Sequence, residues 1–466
     1  MPLHAPFSVS YASDSPPAQS PSGSNPDLDV LIVGGGMVGL TLAAALGNTG
    51  LQVAVVERRP LQLQQSGVVE QGADGRASAL ALGTVQMFRG LGLWPAMQAM
   101  GVSPIHQIRV SDSDFPHAAH LRRQDIGAEA LGYIVPNYVT QSATIAFLQT
   151  CDNVSLRFST QVMEVASDRD GVNVALAAMT SASGDPDSTP LEWRRAKVLI
   201  AADGSRSPLR RRANIPVNCW GYDQACIVTT VETEHPHQQT AYERFQPIGP
   251  FAILPMHDIG GRSESHRSCV VWTVPESDRD RLMSLPDCDF IAELSLWFGE
   301  QLGQVLSATP RACYSPQRSL SSWFVQSRFA LIGDAAHSTH PVGGQGVNLG
   351  MRDVAVLAQV LVDADANGED IGSLGVLRRY ERWRKGNNWA VLLVTDLANR
   401  LFSNRIWPLQ WLRRLGLIGL RFVPPFKRWL MLQAMGLGGR RARLIDGHAL
   451  VTPSSQSRAL SSMGVE

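Results

Sequence analysis

No two of the six cysteines stand in a CxxC pair, and no run of histidines accompanies them. Cys151, Cys219, Cys226, Cys269, Cys288 and Cys313 are scattered, which argues against a zinc site or a disulfide framework and for reduced, structural thiols in a cytosol-like compartment. Excess charge of either sign is also missing: Lys plus Arg and Asp plus Glu are 41 each. Without an overall basic field, nucleic acid is not an expected partner. The first 26 residues are rich in Ser and Pro and contain no Lys, no Arg and no apolar stretch, so they read as a disordered tail rather than a targeting peptide. Internal repeats are lacking. What remains is a chain of 466 residues, long enough for two joined domains around a large core.

Continuous apolar runs give the first positive signal. LDVLIV, Leu28 to Val33, is followed by glycines, a helical stretch from Met37 to Gly47 and a second apolar run from Leu51 to Glu57. This is a βαβ unit, with Gly50 placed to end the helix. Similar runs at Lys197 to Ala202 and Arg328 to Gly333 each open into a Gly-containing polar turn, where ligands sit in open α/β sheets. Between them IVTTVE, FAILPM and CVVWTV, at Ile227, Phe251 and Cys269, predict a second, mostly antiparallel sheet. SASGDPDSTP, Ser181 to Pro190, reads as a solvated hairpin connection, and after Asp353 the pattern is helical to about residue 444.

Three constellations carry chemistry. GGGMVG fits GxGxxG through Gly34, Gly36 and Gly39, a turn in which backbone approaches a pyrophosphate at a helix N-terminus. Glu57, roughly 20 residues further on, stands where an acid accepts from a ribose hydroxyl, with Arg58 beside it for the adenine side. The second, DGSRSPLR from Asp203 to Arg210, resembles the DGxxSxxR element of the class A flavoprotein monooxygenases of the p-hydroxybenzoate hydroxylase type. The resemblance implies that Asp203, Gly204 and Arg210 belong to a segment reaching both FAD and the nicotinamide cofactor.

The third constellation runs from Arg328 to Asp353, RFALIGDAAHSTHPVGGQGVNLGMRD, and resembles the family's GDAAH segment with its following Pro and GxGxN. Gly333 ends the strand and puts Asp334 where it suits a ribityl hydroxyl. Pro341 fixes the approach, Gly343, Gly344 and Gly346 leave room for a planar ring, and a helix opening near Val347 and Asn348 offers its positive end to a reduced flavin. His337 and His340 suggest a base, but a histidine in such a turn is more often structural. With the chemistry carried by the flavin, His337 is the one catalytic candidate.

Further segments are similar to the ubiquinone-biosynthesis hydroxylases: GRASALALGTVQMFRGLGLW from Gly75, LGYIVPN from Leu131, AYERFQPIGPFAILPM from Ala241 and LRRYERWRKGNN from Leu377. In this resemblance Arg76 approaches the flavin and AYERF lies on the substrate sheet, while Trp94, Phe245 and Phe251 read as core. PQRSLSS, Pro316 to Ser322, departs from the apolar Pro-Leu turn of that family. The implied fold is α/β: a Rossmann-type FAD-binding domain (27–110, 130–215 and 320–372), an interleaved, mostly antiparallel substrate domain (216–319 with parts of 100–130), C-terminal helices (373–450) and a tail (451–466). The implied reaction is hydroxylation of a lipophilic, polyprenylated phenol through a flavin C4a-hydroperoxide, with FAD, NAD(P)H and O₂ and no metal. A prenyl-lipid reductase or a non-catalytic flavin-fold subunit of a quinone-biosynthesis complex remain alternatives. A flavin halogenase would be expected to carry a WxWxIP motif, which the chain lacks.

From Leu397 to Leu444, ten basic residues occur with no acid between them, interleaved with Trp407, Trp411, Phe422, Phe426 and Trp429. The Pro424–Pro425 pair and Arg421 interrupt any run able to span a bilayer. The segment is therefore expected to lie on an anionic membrane surface, making the protein peripheral on the cytoplasmic face, or else to pack on protein.

Overall fold

The computed structural model describes residues 26–61, 76–112, 119–179, 190–258, 265–339, 344–402, 414–416, 418–419 and 422–450, with the backbone of residues 8–9. Pro341 and His340, like Trp407 and Trp411, lie outside the described residues.

The first sheet is built on β1 (Leu28–Val33), followed by α1 (Met37–Leu46) and β2 (Val53–Val56). β1 pairs in parallel with β2 on one side and with β3 (Glu192–Ala201) on the other, and β3 pairs in parallel with Phe329–Leu331. Val30, Leu31 and Ile32 are fully buried because both faces of this strand are covered, which is why its sequence is apolar throughout instead of alternating. α1 ends at Gly47. Gly50, expected to end it, has φ +89° in the turn leading into β2. The helix stops earlier because the Gly47 N–H already turns back to the Ala44 carbonyl.

Val172–Ala178 and β3 pair antiparallel, while residues 180–189 between them, expected to form a hairpin connection, lie outside the described residues. Ser8–Val9 pair antiparallel with Thr160–Ser167 at the sheet edge, so these two residues of the N-terminal stretch are a strand and not tail. Backbone hydrogen bonding to an open edge is enough to order them.

The second sheet has eight strands among the described residues. Its centre includes β4 (Thr240–Gln246), which pairs antiparallel with Gly249–Pro255 and in parallel with Gln107–Asp112, a strand contributed from far earlier in the chain. One face packs on the helix Asp287–Phe298, burying Phe251, Trp272, Phe290 and Phe298. Phe245 and Trp94 are also buried. The helical part comprises α2 (Gln345–Ala366), packed on α1, then α3 (Leu374–Phe402) and α4 (Pro424–Ala434).

Candidate active site

Gly34 sits at the end of β1 with φ +115°, and a side chain there would lie 2.3 Å from the Ala202 carbonyl oxygen. Only glycine lets the two strand ends approach this closely. Gly39 likewise has the Gly34 carbonyl where a Cβ would stand, which seats α1 on the turn. At Gly36 the reason is different: a Cβ there would meet nothing within 4 Å, and the residue caps α1 without a side-chain hydrogen bond. A helix N-terminus with uncapped N–H groups beside open space is what a pyrophosphate requires. Glu57 accepts from the Gly35 N–H at 2.6 Å and the Arg59 N–H at 2.9 Å, bracing the loop; the Arg58 side chain is exposed.

The second and third motifs are tied together by Arg210. Buried among them, its guanidinium donates to the Ala335 carbonyl and to the Ser205 carbonyl, each at 2.8 Å. Asp203 accepts from the Leu209 N–H at 3.2 Å, while its Oδ1 is buried with no hydrogen-bond partner among the described residues. Burial raises its pKa against the opposing hydrogen bonds of Ser207 and Leu209. Gly204 takes φ +84° in this turn.

Behind the GDAAH turn lies a buried ionic network. Asp353 on α2 accepts from the Gly333 N–H at 3.1 Å, His337 Nε2 at 2.5 Å, Arg384 Nε at 2.7 Å and Asn388 Nδ2 at 3.2 Å. Burial alone would raise this carboxyl, but His337 and Arg384 hold it well below the usual carboxylate range. His337 is 1% exposed and spent on this contact. It fixes the turn that carries Asp334 and does not line the cavity, which leaves it a positioning residue.

Asn348 uses all four of its bonding directions. Its amide oxygen accepts from the Ala81 N–H and the Thr84 hydroxyl, and its NH₂ donates to the Ala79 and Gly344 carbonyls, all at 2.7–2.8 Å. The start of α2 is thereby clamped to the strand Ala77–Ala81. Gly344, at φ +62°, caps α2 without a side-chain hydrogen bond, and the first turn carries no acid.

These elements enclose a cavity of about 870 Å³, of the size that holds a flat cofactor portion and a small ring. Arg76, Asp334, Gly344, Gly346, Val347 and Asn348 line it, and Met37, next to Gly36, makes it continuous with the glycine turn. Gly34, Gly39, Glu57 and Arg210 stand behind it. Asp334 is an exposed residue at the cavity lining, and desolvation by the surrounding protein pushes its pKa up. The departing segment becomes the strand Gln317–Ser321, paired with His337–Ser338, and Pro316 and Gln317 form part of the wall.

The second sheet supplies an apolar wall through Ile108, Ala241, Ala252, Leu254 and Val271, interrupted by Glu243. Sequence reasoning passed over Glu243 and the Asp353, Arg384 and Asn388 group. Glu243 carried a legible signal, a charge between Ala241 and Phe245 on the inward-facing positions of an alternating strand.

A glycine turn at an uncapped helix, a cavity-lining carboxyl at Asp334 and a second unblocked helix N-terminus at one cavity define a dinucleotide-binding flavoprotein, and the residues present fit FAD. The chain belongs to the FAD binding domain family, which its residues 27–394 match. It is 38% identical to the ubiquinone hydroxylase UbiL of Rhodospirillum rubrum, over 94% of this chain and 97% of that one. It is 33% identical to the 3-demethoxyubiquinol 3-hydroxylase of Escherichia coli, over 89% of this chain and 100% of the relative. In three dimensions it is similar to p-nitrophenol 4-monooxygenase PnpA of Pseudomonas putida, with a TM-score of 0.72 and 19% identity over 90% of this chain and 100% of that one. With these relatives, the protein is an FAD-dependent monooxygenase that uses NAD(P)H and O₂.

Proposed function

We propose that this monooxygenase hydroxylates the ring of a polyprenylated phenol during the synthesis of ubiquinone or a related quinone. The observation that carries the reading is the cavity itself, which sets flavin-holding groups at Asp334 and the start of α2 beside a wall of Ile108, Ala241, Leu254 and Val271. Relatives named for ubiquinone hydroxylation give the substrate class. FAD, when bound, supplies reduction by NAD(P)H and the transfer of one atom of O₂ to an electron-rich ring, the other leaving as water. The residues of this chain hold and exclude. Gly36 and the N-terminus of α1 would receive the pyrophosphate, and Asp334 a ribityl hydroxyl. The uncapped end of α2 would stabilise negative charge on the reduced ring, and the apolar wall would keep water from the reacting atoms. Incubation with a short-chain prenylphenol, NAD(P)H and labelled O₂ is expected to place one labelled oxygen on the ring. Oxygen derived from water, or a reduced prenyl chain without oxygen uptake, would overturn the reading.

Membrane contact through residues 397–444 is part of this proposal. Among the described residues, no helix is long and apolar enough to cross a membrane. The basic residues are less free than their run in the sequence suggests: Arg400 pairs with Asp396, Arg414 with Asp112, Lys427 with Asp125, Arg441 with Asp446 and Arg443 with Asp363. Acids distant in sequence or just outside the run meet these charges, so attraction to anionic lipid is weaker than a bare count implies.

The apolar side chains carry more of the case. α4 lines the cavity through Met431 and Ala434 and exposes Phe426 and Trp429, 49% and 55% accessible, with Phe422 just before it. An amphipathic helix of this kind is suited to the headgroup boundary, and its inner face would open the cavity to a lipid-soluble substrate. In vesicle flotation the protein is expected to bind neutral and anionic membranes alike, with a modest gain for anionic ones. The triple variant Phe422→Ser, Phe426→Ser, Trp429→Ser is expected to lose most of that binding; flotation at the wild-type level would remove the proposal.

A further inference from the structure

Among the described residues, Glu243 is the one carboxyl on the second sheet's contribution to the cavity wall. Its setting follows from register. On β4 it pairs with Ala252 on one side and Val110 on the other; Ala252 pairs with Val271, and Val271 with Val228. A row of five strands thus presents only short apolar side chains and this acid. Glu243 has no hydrogen-bond or ion-pair partner among the described residues, and the surface it keeps is turned to the cavity. Burial pushes its carboxyl up to about 7.

The charged groups on neighbouring elements are engaged elsewhere. Arg109 lies over the Tyr242 ring at 5.7 Å, Arg244 donates to the Trp297 carbonyl, and Asp112 is met by Arg414 at 3.5 Å. On α4, Lys427 pairs with Asp125 and Arg428 is exposed. Arg76, Arg279, Tyr314 and Asp334 line other parts of the cavity. An unpartnered acid in such a wall costs stability, so packing alone does not account for it.

Resting on the reading of the cavity as a phenol site, we propose that Glu243 receives the phenolic hydroxyl of the ring, accepting its hydrogen bond and then its proton as oxygen is inserted. The O–H bond breaks towards the carboxylate and its electron pair stays on the ring oxygen, enriching the ortho and para carbons. After oxygen transfer from the O₂-derived oxidant of the proposed reaction, the attacked carbon loses its hydrogen as a proton to the second oxygen of that oxidant, the one that leaves as water. The proton on Glu243 returns to the original ring oxygen, leaving a carbon–hydroxyl where a carbon–hydrogen bond had been. The carboxylate is regenerated, and it is available near neutral pH because its proton affinity lies close to the working range.

The test uses flavin-loaded enzyme and the variants Glu243→Gln and Glu243→Asp. Wild-type turnover is expected to rise with pH through about 7. Glu243→Gln should lose this limb and about 100-fold in kcat with a KM changed only a few-fold, since its carbonyl still accepts a hydrogen bond, while Glu243→Asp should recover the limb. A second readout is independent of turnover: fluorine NMR of a bound fluorophenol. A neighbouring carboxylate disfavours the phenolate, so the midpoint of the bound phenol should lie above that of the free one in wild type and fall back in Glu243→Gln. Equal midpoints and equal pH profiles in the two proteins would overturn the role of Glu243. A fluorophenol that binds neither protein would instead overturn the phenol reading, and this proposal with it.

Discussion

Asp334→Ala is expected to weaken FAD retention by about 10–100-fold, the loss of a hydrogen bond to a charged group worth about 1.5–3 kcal/mol. The purified variant should be nearly colourless and yet folded. Asp334 faces the cavity with a pKa raised first by desolvation, against an opposing effect of His337 and with a smaller raising effect of Asp353. A raised folded-state pKa in an acid favours the folded state at low pH, and that advantage is lost as pH rises through the folded value. At neutral pH the wild-type apoprotein therefore carries a cost that alanine removes. The variant apoprotein should melt no lower than wild-type apoprotein, whereas the holoproteins should differ strongly. Flavin fluorescence titration and thermal melts with and without FAD measure both; full FAD occupancy in the variant would contradict the assigned role.

The second large effect lies one layer back. Asp353→Ala leaves His337 and Arg384 without the carboxylate that meets them and frees the Gly333 N–H, and breaking a buried ion pair from one side costs about 3–5 kcal/mol. Here apo and holo forms should both lose stability, in contrast to Asp334→Ala. The pH sign is also opposite. Because Asp353 is held below its ordinary 3.8, its contribution is fully present above that value and is lost as pH falls through the depressed folded value. The gap in denaturant midpoint between wild type and Asp353→Asn should therefore be widest near neutrality and shrink in acid. A gap that does not change with pH would mean that the charge of Asp353 contributes nothing.

Much of this site was legible in sequence because its motifs are local. GxGxxG and GDAAH each depend on a turn whose backbone needs particular residues at fixed offsets, which places Gly34 and Asp334 at strand ends, and the resemblance to DGxxSxxR adds Asp203. Residues acting across the chain could not be assigned a role this way. Arg384 and Asn388 lie in LRRYERWRKGNN, but nothing in a helix sequence announces that an acid on another helix will meet them. Arg210 was expected at the cofactor and is found bonding the Ala335 carbonyl, a partner set by tertiary packing. The C-terminal charges misled for the same reason: Arg414 and Lys427 look unanswered along the chain because Asp112 and Asp125 lie some 300 residues earlier.

The Asn348 clamp has a consequence for how the protein comes to exist. It joins groups 267 and 269 residues apart, and Arg210 closes another gap of 125. Contacts of such separation incur loop-closure entropy before they return any stabilisation, which places them late in folding and makes topologies of this kind slow. During synthesis, the glycine turn after β1 would leave the ribosome long before the residues that complete its pocket. FAD in this protein is thus a ligand for a finished tertiary structure, and it cannot serve as a template on which the first βαβ unit folds.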